Sequence, residues 1–248
     1  MIQLINELKD RNEILFYLGL VFVVVAAVAS VMAANSSVQV LGVNVWYKPL
    51  KFLLSSILFV WTMGWFLGYL PNDRSIDVYS WVMVGLFLFE NIYIFFQAAR
   101  GQQSHFNVST PFYSIMWGMM GLAATLISVA TGIISIKFFQ FTPEQINIGF
   151  WWGIRLGIVL FVIFSMEGLV MGSRMSHTVG APDGGEGIPF LNWSKKNGDL
   201  RVAHFIGMHA LQVVPFLSFF LTKNTLGAII IATLYGALSA YTFIRALM

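Results

Sequence analysis

The stretch ILFYLGLVFVVVAAVASVMAA, residues 14–34, settles the class of the chain. Its only polar side chains are Tyr17 and Ser30. A helix of this length is roughly 30 Å long, which matches the hydrocarbon core of a bilayer. The run is longer than the roughly 7–15 residues of a signal-peptide core. VMAAN at its end resembles a cleavage site, but the run reads as a retained first membrane helix.

Apolar runs of similar length recur outward from it at residues 51–70, 76–99, 112–137, 148–172, 201–222 and 225–246. None has the period of a membrane β-strand. The expected fold is therefore all-α: a polytopic integral membrane protein, a seven-transmembrane-helix bundle forming one membrane domain over residues 1–248. Only 10% of the residues are charged, against about 25% in soluble domains. The partner this implies is the lipid bilayer, and in a bacterium the location is the cytoplasmic membrane. With no cysteine, disulfides, thiolate-bound zinc, iron–sulfur clusters and a thiolate haem ligand are excluded. No basic run or nucleic-acid motif occurs, which excludes a nucleic-acid partner.

The connections differ between the two faces. One face has the short loops 71–75, 139–147 and 223–224, and the other has 35–50, 100–111 and the long 172–200. The long loop is glycine-rich (APDGGEG) yet carries Phe190 and Trp193, so it is expected to fold over its face as a lid. That face also holds Lys48, Lys51, Arg100, Arg174, Lys195, Lys196, Arg201 and Arg245, which the positive-inside rule places in the cytoplasm. Gly236 with Ala240, and Gly118 with Gly121 and Ala124, predict close helix packing. Trp46, Trp61, Trp65, Trp151 and Trp152 fit an aromatic belt.

Polar residues gather around one stretch, GDLRVAHFIGMHALQVVP, residues 198–215. Asp199 is placed to cap a helix, Arg201, His204 and Met208 follow at i, i+3 and i+7, and Pro215 is placed to kink the helix. His209 lies five residues from His204, roughly 140° around the helix, and Gln212 lies one turn beyond His209. The spacing is neither HxxxH nor HExxH. Glu90 and Asn91 fall near the middle of the third span, with Gln97 seven residues on, and Glu167 falls near the end of the fifth. A carboxyl group at such depth is protonated, paired or solvated by an internal cavity. Lys51, Ser55 and Thr62 form a stripe on the second span within about 40° of one another. Glu…Arg…Ser-His occurs twice, as Glu90, Arg100, Ser104-His105 and as Glu167, Arg174, Ser176-His177. Helix rise puts Glu90 and His209 roughly 12–14 Å in from the face of the long loop. His105 and His177 sit at its mouth.

This placement predicts a polar cavity with His105, His177, His204 and His209 as metal ligands. Lys51, Arg100, Arg174 and Gln212 would contact a cofactor, and Glu90, Glu167 and Arg201 would carry the chemistry. Histidine and carboxylate ligands suit a transition metal (Fe, Zn or Cu) or haem, hence a membrane oxidoreductase. The alternatives are a proton-coupled carrier of an anionic solute, an enzyme acting on a lipid with an anionic headgroup, and a non-catalytic assembly subunit. The ligand in these readings is small and hydrophobic or anionic. The acid-phosphatase-like lipid phosphatase pattern fails because Ser104-His105 lacks the intervening glycine, and the alkaline ceramidase pattern fails because the last span has no histidine.

Overall fold

The computed structural model describes residues 2–248. Its elements in order are α1 (Ile2–Arg11), α2 (Glu13–Asn35), β1 (Gln39–Val40), β2 (Val43–Asn44), α3 (Tyr47–Leu67), α4 (Arg74–Ala99), α5 (Pro111–Gln140), α6 (Ile148–Ser165), α7 (Glu167–Arg174), β3 (Thr178–Val179), β4 (Gly198–Asp199), α8 (Leu200–Met208), α9 (Ala210–Leu221) and α10 (Thr225–Leu247). Among the described residues six helical spans are long and apolar enough to cross a membrane, α6 and α7 counting as one, and α8 with α9 makes a seventh if that bent pair is one span. The protein is thus an all-α, multi-pass membrane protein. It divides into two compact units, Met1–Ile127 and Ser128–Met248, with the division falling inside α5.

In the first unit α2 packs along α3, and both touch α4. Asn12 fixes the start of this arrangement. Its side-chain Oδ1 accepts the Leu15 N–H at 2.9 Å and so caps α2, while its side-chain Nδ2 donates to Ser80 Oγ on α4 at 2.9 Å. Arg11 lies over the rings of Trp65 and Tyr69 and pairs with Glu7 at 2.7 Å. Helix α3 starts four residues before the apolar run because Pro49 falls in its first turn, where a missing N–H costs no helical bond.

In the second unit α6 lies against α9 and α10. Gly153 and Gly157 permit the first of these contacts, since a Cβ there would come within 2.8–2.9 Å of Ser218, the Pro215 backbone or the Ala210 carbonyl. Gly236 is close to Leu160, as the small-residue pattern predicts. Gly118 and Gly121 differ, because nothing among the described residues comes within 4 Å of a Cβ at either. Trp151 also departs from the belt reading: it is fully buried, and its Nε1–H donates to the Phe141 carbonyl at 3.1 Å.

The end of α5 explains Arg155, a buried cation on α6. The last carbonyls of a helix have no partner within it and carry partial negative charge. Arg155 donates to the Phe138 carbonyl at 2.7 Å, the Phe141 carbonyl at 3.1 Å and Thr142 Oγ1 at 2.9 Å. Replacing it by methionine keeps much of the volume and leaves these acceptors without their donor. Arg155→Met is expected to destabilise the protein by about 3 kcal/mol. Thermal unfolding in detergent checks this, and an unchanged midpoint contradicts the capping role.

Candidate functional site

Two helices of the second unit lose their regular ladder, and the two disruptions adjoin. Between α6 and α7 the backbone bonds tighten, with Met166 N–H reaching Ile163 O and Leu169 N–H reaching Met166 O. The carbonyl of Phe164 accepts a hydrogen bond from His204 Nδ1 on α8 at 3.1 Å. Between α8 and α9 the chain bends by 47°, with His209 at the joint. There the carbonyl of Ile206 accepts the Tyr235 hydroxyl of α10 at 2.7 Å. Gly207 lies against the Phe164 side chain, where a Cβ would collide with the ring. The bend falls six residues before Pro215, which sits inside α9.

Because a carbonyl oxygen only accepts, His204 carries a proton on Nδ1, and in the neutral ring Nε2 then keeps its lone pair. His209 repeats the pattern, with Nδ1 donating to the Phe205 carbonyl at 2.7 Å and its ring 4.0 Å from that of Phe205. His177 and His209 are both within electrostatic reach of His204. Glu167 opens α7 at the first break. It is buried, and its Oε2 has no hydrogen-bond partner. The next residue, Gly168, adjoins the His204 ring, where a Cβ would lie 3.7 Å from Cε1.

The loop beyond α7 has its own order. Asp183, unremarked in the sequence reading, is its hub. It accepts from His177 Nδ1 at 2.7 Å, from the backbone N–H groups of His177 and Thr178, and from the Ser176 hydroxyl. Burial alone would raise the Asp183 carboxyl, but the His177 ring and the backbone donors outweigh it and hold the group well below the usual carboxylate range. Asp199 caps α8 and pairs with Arg201, which also donates to the Asn192 carbonyl. Glu186 pairs with Lys195 at 3.2 Å and Lys196 at 3.4 Å, and those bonds lower its carboxyl. A pocket of about 230 Å³ lies in this loop, lined by residues including Thr178, Ser194, Lys196, Asn197 and Arg201. Its cations already have anionic partners in the loop, so it offers little net positive charge to an anion. Arg174 is exposed and Gln212 half-buried.

The remaining sequence-nominated residues belong to the first unit. Glu90 is buried on α4, and no hydrogen bond or ion pair engages its carboxyl. Arg100 is exposed, over the Phe96 ring at 5.4 Å. Lys51 is half-buried. His105 contacts Ser104 Oγ at 3.1 Å and lies among the rings of Phe52, Phe106 and Trp117. The stripe on α3 is offset by one residue. Ser55 is exposed, and the buried Ser56 accepts from the Asn91 amide at 3.0 Å. No group of three or more His, Asp or Glu side chains among the described residues is placed to hold a metal ion. The chain matches no protein-family model, no curated protein and no solved structure.

Asp183 has a testable consequence. Asp183→Ala removes the acceptor shared by His177, Thr178 and Ser176, a local loss of about 1.4 kcal/mol. Trypsin should then cut at Lys195 and Lys196 about tenfold faster than in the parent protein. Since folding depresses this carboxyl, its contribution is full at neutral pH and holds down to the ordinary value of 3.8, then falls as acid protonates it. A cleavage rate unchanged by the substitution rejects the anchoring role.

Proposed function

We propose that this multi-pass membrane protein is a proton-coupled carrier of a small solute, with Glu167 and His204 as its proton-binding pair. One observation carries the reading: an unpartnered, buried carboxyl lies at a helix break next to a histidine held in a single tautomer. Discontinuous membrane helices are a recurrent setting for solute and ion sites, and an intramembrane carboxyl without a counter-ion is suited to taking up and releasing a proton. His204 Nε2 supplies the acceptor and Glu167 the exchangeable proton. Solute recognition falls to the groups around the bend, among them His209 and Gln212. The 172–200 loop is assigned the part of lid.

In proteoliposomes loaded with a pH-sensitive dye and challenged with a panel of small neutral and cationic solutes, the wild-type protein should give solute-dependent proton flux. Glu167→Gln should reduce it at least tenfold while leaving the fold intact. Flux no greater than in protein-free vesicles rejects the carrier.

A second reading is favoured by the same tautomers. Metal-bound histidines fix one ring nitrogen through a hydrogen bond and ligate through the other. His204 and His209 each have Nδ1 engaged in this way. On this reading the protein is a metal- or haem-dependent membrane oxidoreductase. Purified protein would then show a Soret band or near-stoichiometric Fe, Cu or Zn, lost in His204→Ala. Colourless, metal-free protein with intact flux decides for the carrier.

A further inference from the structure

Helix α4 of the first unit carries a row of polar groups that the second-unit site does not use. Glu90, Tyr93 and Gln97 stand at i, i+3 and i+7, one face of a helix. All three are buried, Gln97 completely. The Glu90 carboxyl has no partner, and neither the Tyr93 hydroxyl nor Gln97 Oε1 has one. The orientation of the Gln97 amide is fixed, because its nitrogen donates to the Gln103 carbonyl at 3.0 Å. Asn91 beside the row is similar. Its nitrogen donates to Ser56 Oγ and the Phe87 carbonyl, and its Oδ1 has no partner. Five fully enclosed side-chain polar atoms lack a partner among the described residues, and Asn91 Oδ1, the Tyr93 hydroxyl and Gln97 Oε1 are three of them.

An unmade hydrogen bond in an apolar interior is costly, so a run of them calls for something that supplies donors. Tyr93 belongs to an apolar cluster with Ile94 and Met120, against which Phe52, Phe89, Met116 and Trp117 pack. Helix rise separates Glu90 from Tyr93 by about 4.5 Å and Tyr93 from Gln97 by about 6 Å. The row ends at the loop after α4. Gln97 binds Gln103 there, and next in the chain come Ser104 and the half-buried His105. The His105 ring leans on Phe52 and Trp117, which also pack against the cluster containing Tyr93. The other ionisable groups around the row are Tyr113 on α5 and Arg100, both within electrostatic reach of Tyr93, and Lys51, which precedes Phe52 on α3.

We infer that this face of α4 is a hydrated proton path running from the His105 loop to Glu90. The Gln97 and Asn91 oxygens orient water. The Tyr93 hydroxyl relays by accepting a proton from the water on one side and giving its own to the water on the other. The carboxyl of Glu90 is the terminal acceptor. Each transfer breaks one O–H bond and forms another, and the row is restored when its waters and hydroxyl turn back. The inference is independent of the carrier and oxidoreductase readings, which rest on the second unit.

The test is infrared spectroscopy of the full chain in lipid vesicles. The carboxylic-acid C=O band of Glu90 is identified by its loss in Glu90→Gln, with the pH stepped downward until the band is full. On transfer to D2O the band should shift rapidly in the wild-type protein. Tyr93→Phe keeps the ring and its packing but removes the relay, and should slow the shift at least tenfold, as should Gln97→Leu. A Glu90 band that exchanges as fast in Tyr93→Phe as in the wild type overturns the path. So does the lack, at every pH, of a band that Glu90→Gln removes. Dye-reported flux through Glu167 is a separate readout, so failure of one proposal leaves the other standing.

Discussion

Inside a bilayer a backbone carbonyl that leaves its helical ladder finds no water, so another part of the protein must supply a donor. In the second unit the bond from His204 Nδ1 to the Phe164 carbonyl meets that requirement. It allows α6 to give way to α7 at Met166, where Glu167 begins a new helix. It also commits one nitrogen of His204, which decides what the other can do. The hydroxyl of Tyr235 does the same for Ile206 across the α8–α9 bend. Arg155 applies the same rule at the end of α5, with a cation meeting the negative end of the helix. These bonds come from side chains remote in sequence. The irregular backbone is therefore held by tertiary structure and not by local preference.

The membrane class and the spans were legible because they depend on local composition. A run of about twenty apolar residues reads as a helix whatever surrounds it. The breaks were not legible in the same way. Pro215 is the visible helix-disturbing residue, yet it stays inside α9 and the bend falls at His209. The steric fact near the bend is the approach of Gly207 to Phe164, a contact between residues far apart in the chain. The same limit explains the offset between Ser55 and Ser56. Counting helical phase from Lys51 selects Ser55, whereas the partner on α4, Asn91, selects Ser56.

The candidate site was partly visible for a related reason. Glu90, Glu167 and His204 stand out in the sequence because titratable groups are rare in apolar runs. Asp183, Tyr93 and Tyr235 do not stand out. Asp183 sits in a glycine-rich loop where an acidic residue is ordinary, and the two tyrosines sit among many aromatics. What distinguishes them is the presence or absence of a partner. Asp183 gathers four donors, Tyr235 fills a carbonyl, and Tyr93 has nothing to bond.

Charge in the loop bears on what the site can recognise. The sequence places several cations around the 172–200 loop, and unpaired they would favour an anionic solute or headgroup. In the fold Arg201 is held by Asp199, and Lys195 and Lys196 share Glu186. Asp199 also caps α8 and receives the Ser194 N–H, so the Arg201 pair fastens the loop to the helix it precedes. An anion would have to displace a buried carboxylate to reach Arg201, whereas Glu167 has an oxygen with no such bond to break. Around the pocket the cations are engaged, and the buried group left open is the Glu167 acid, which supports the proposed proton exchange more than capture of an anion there.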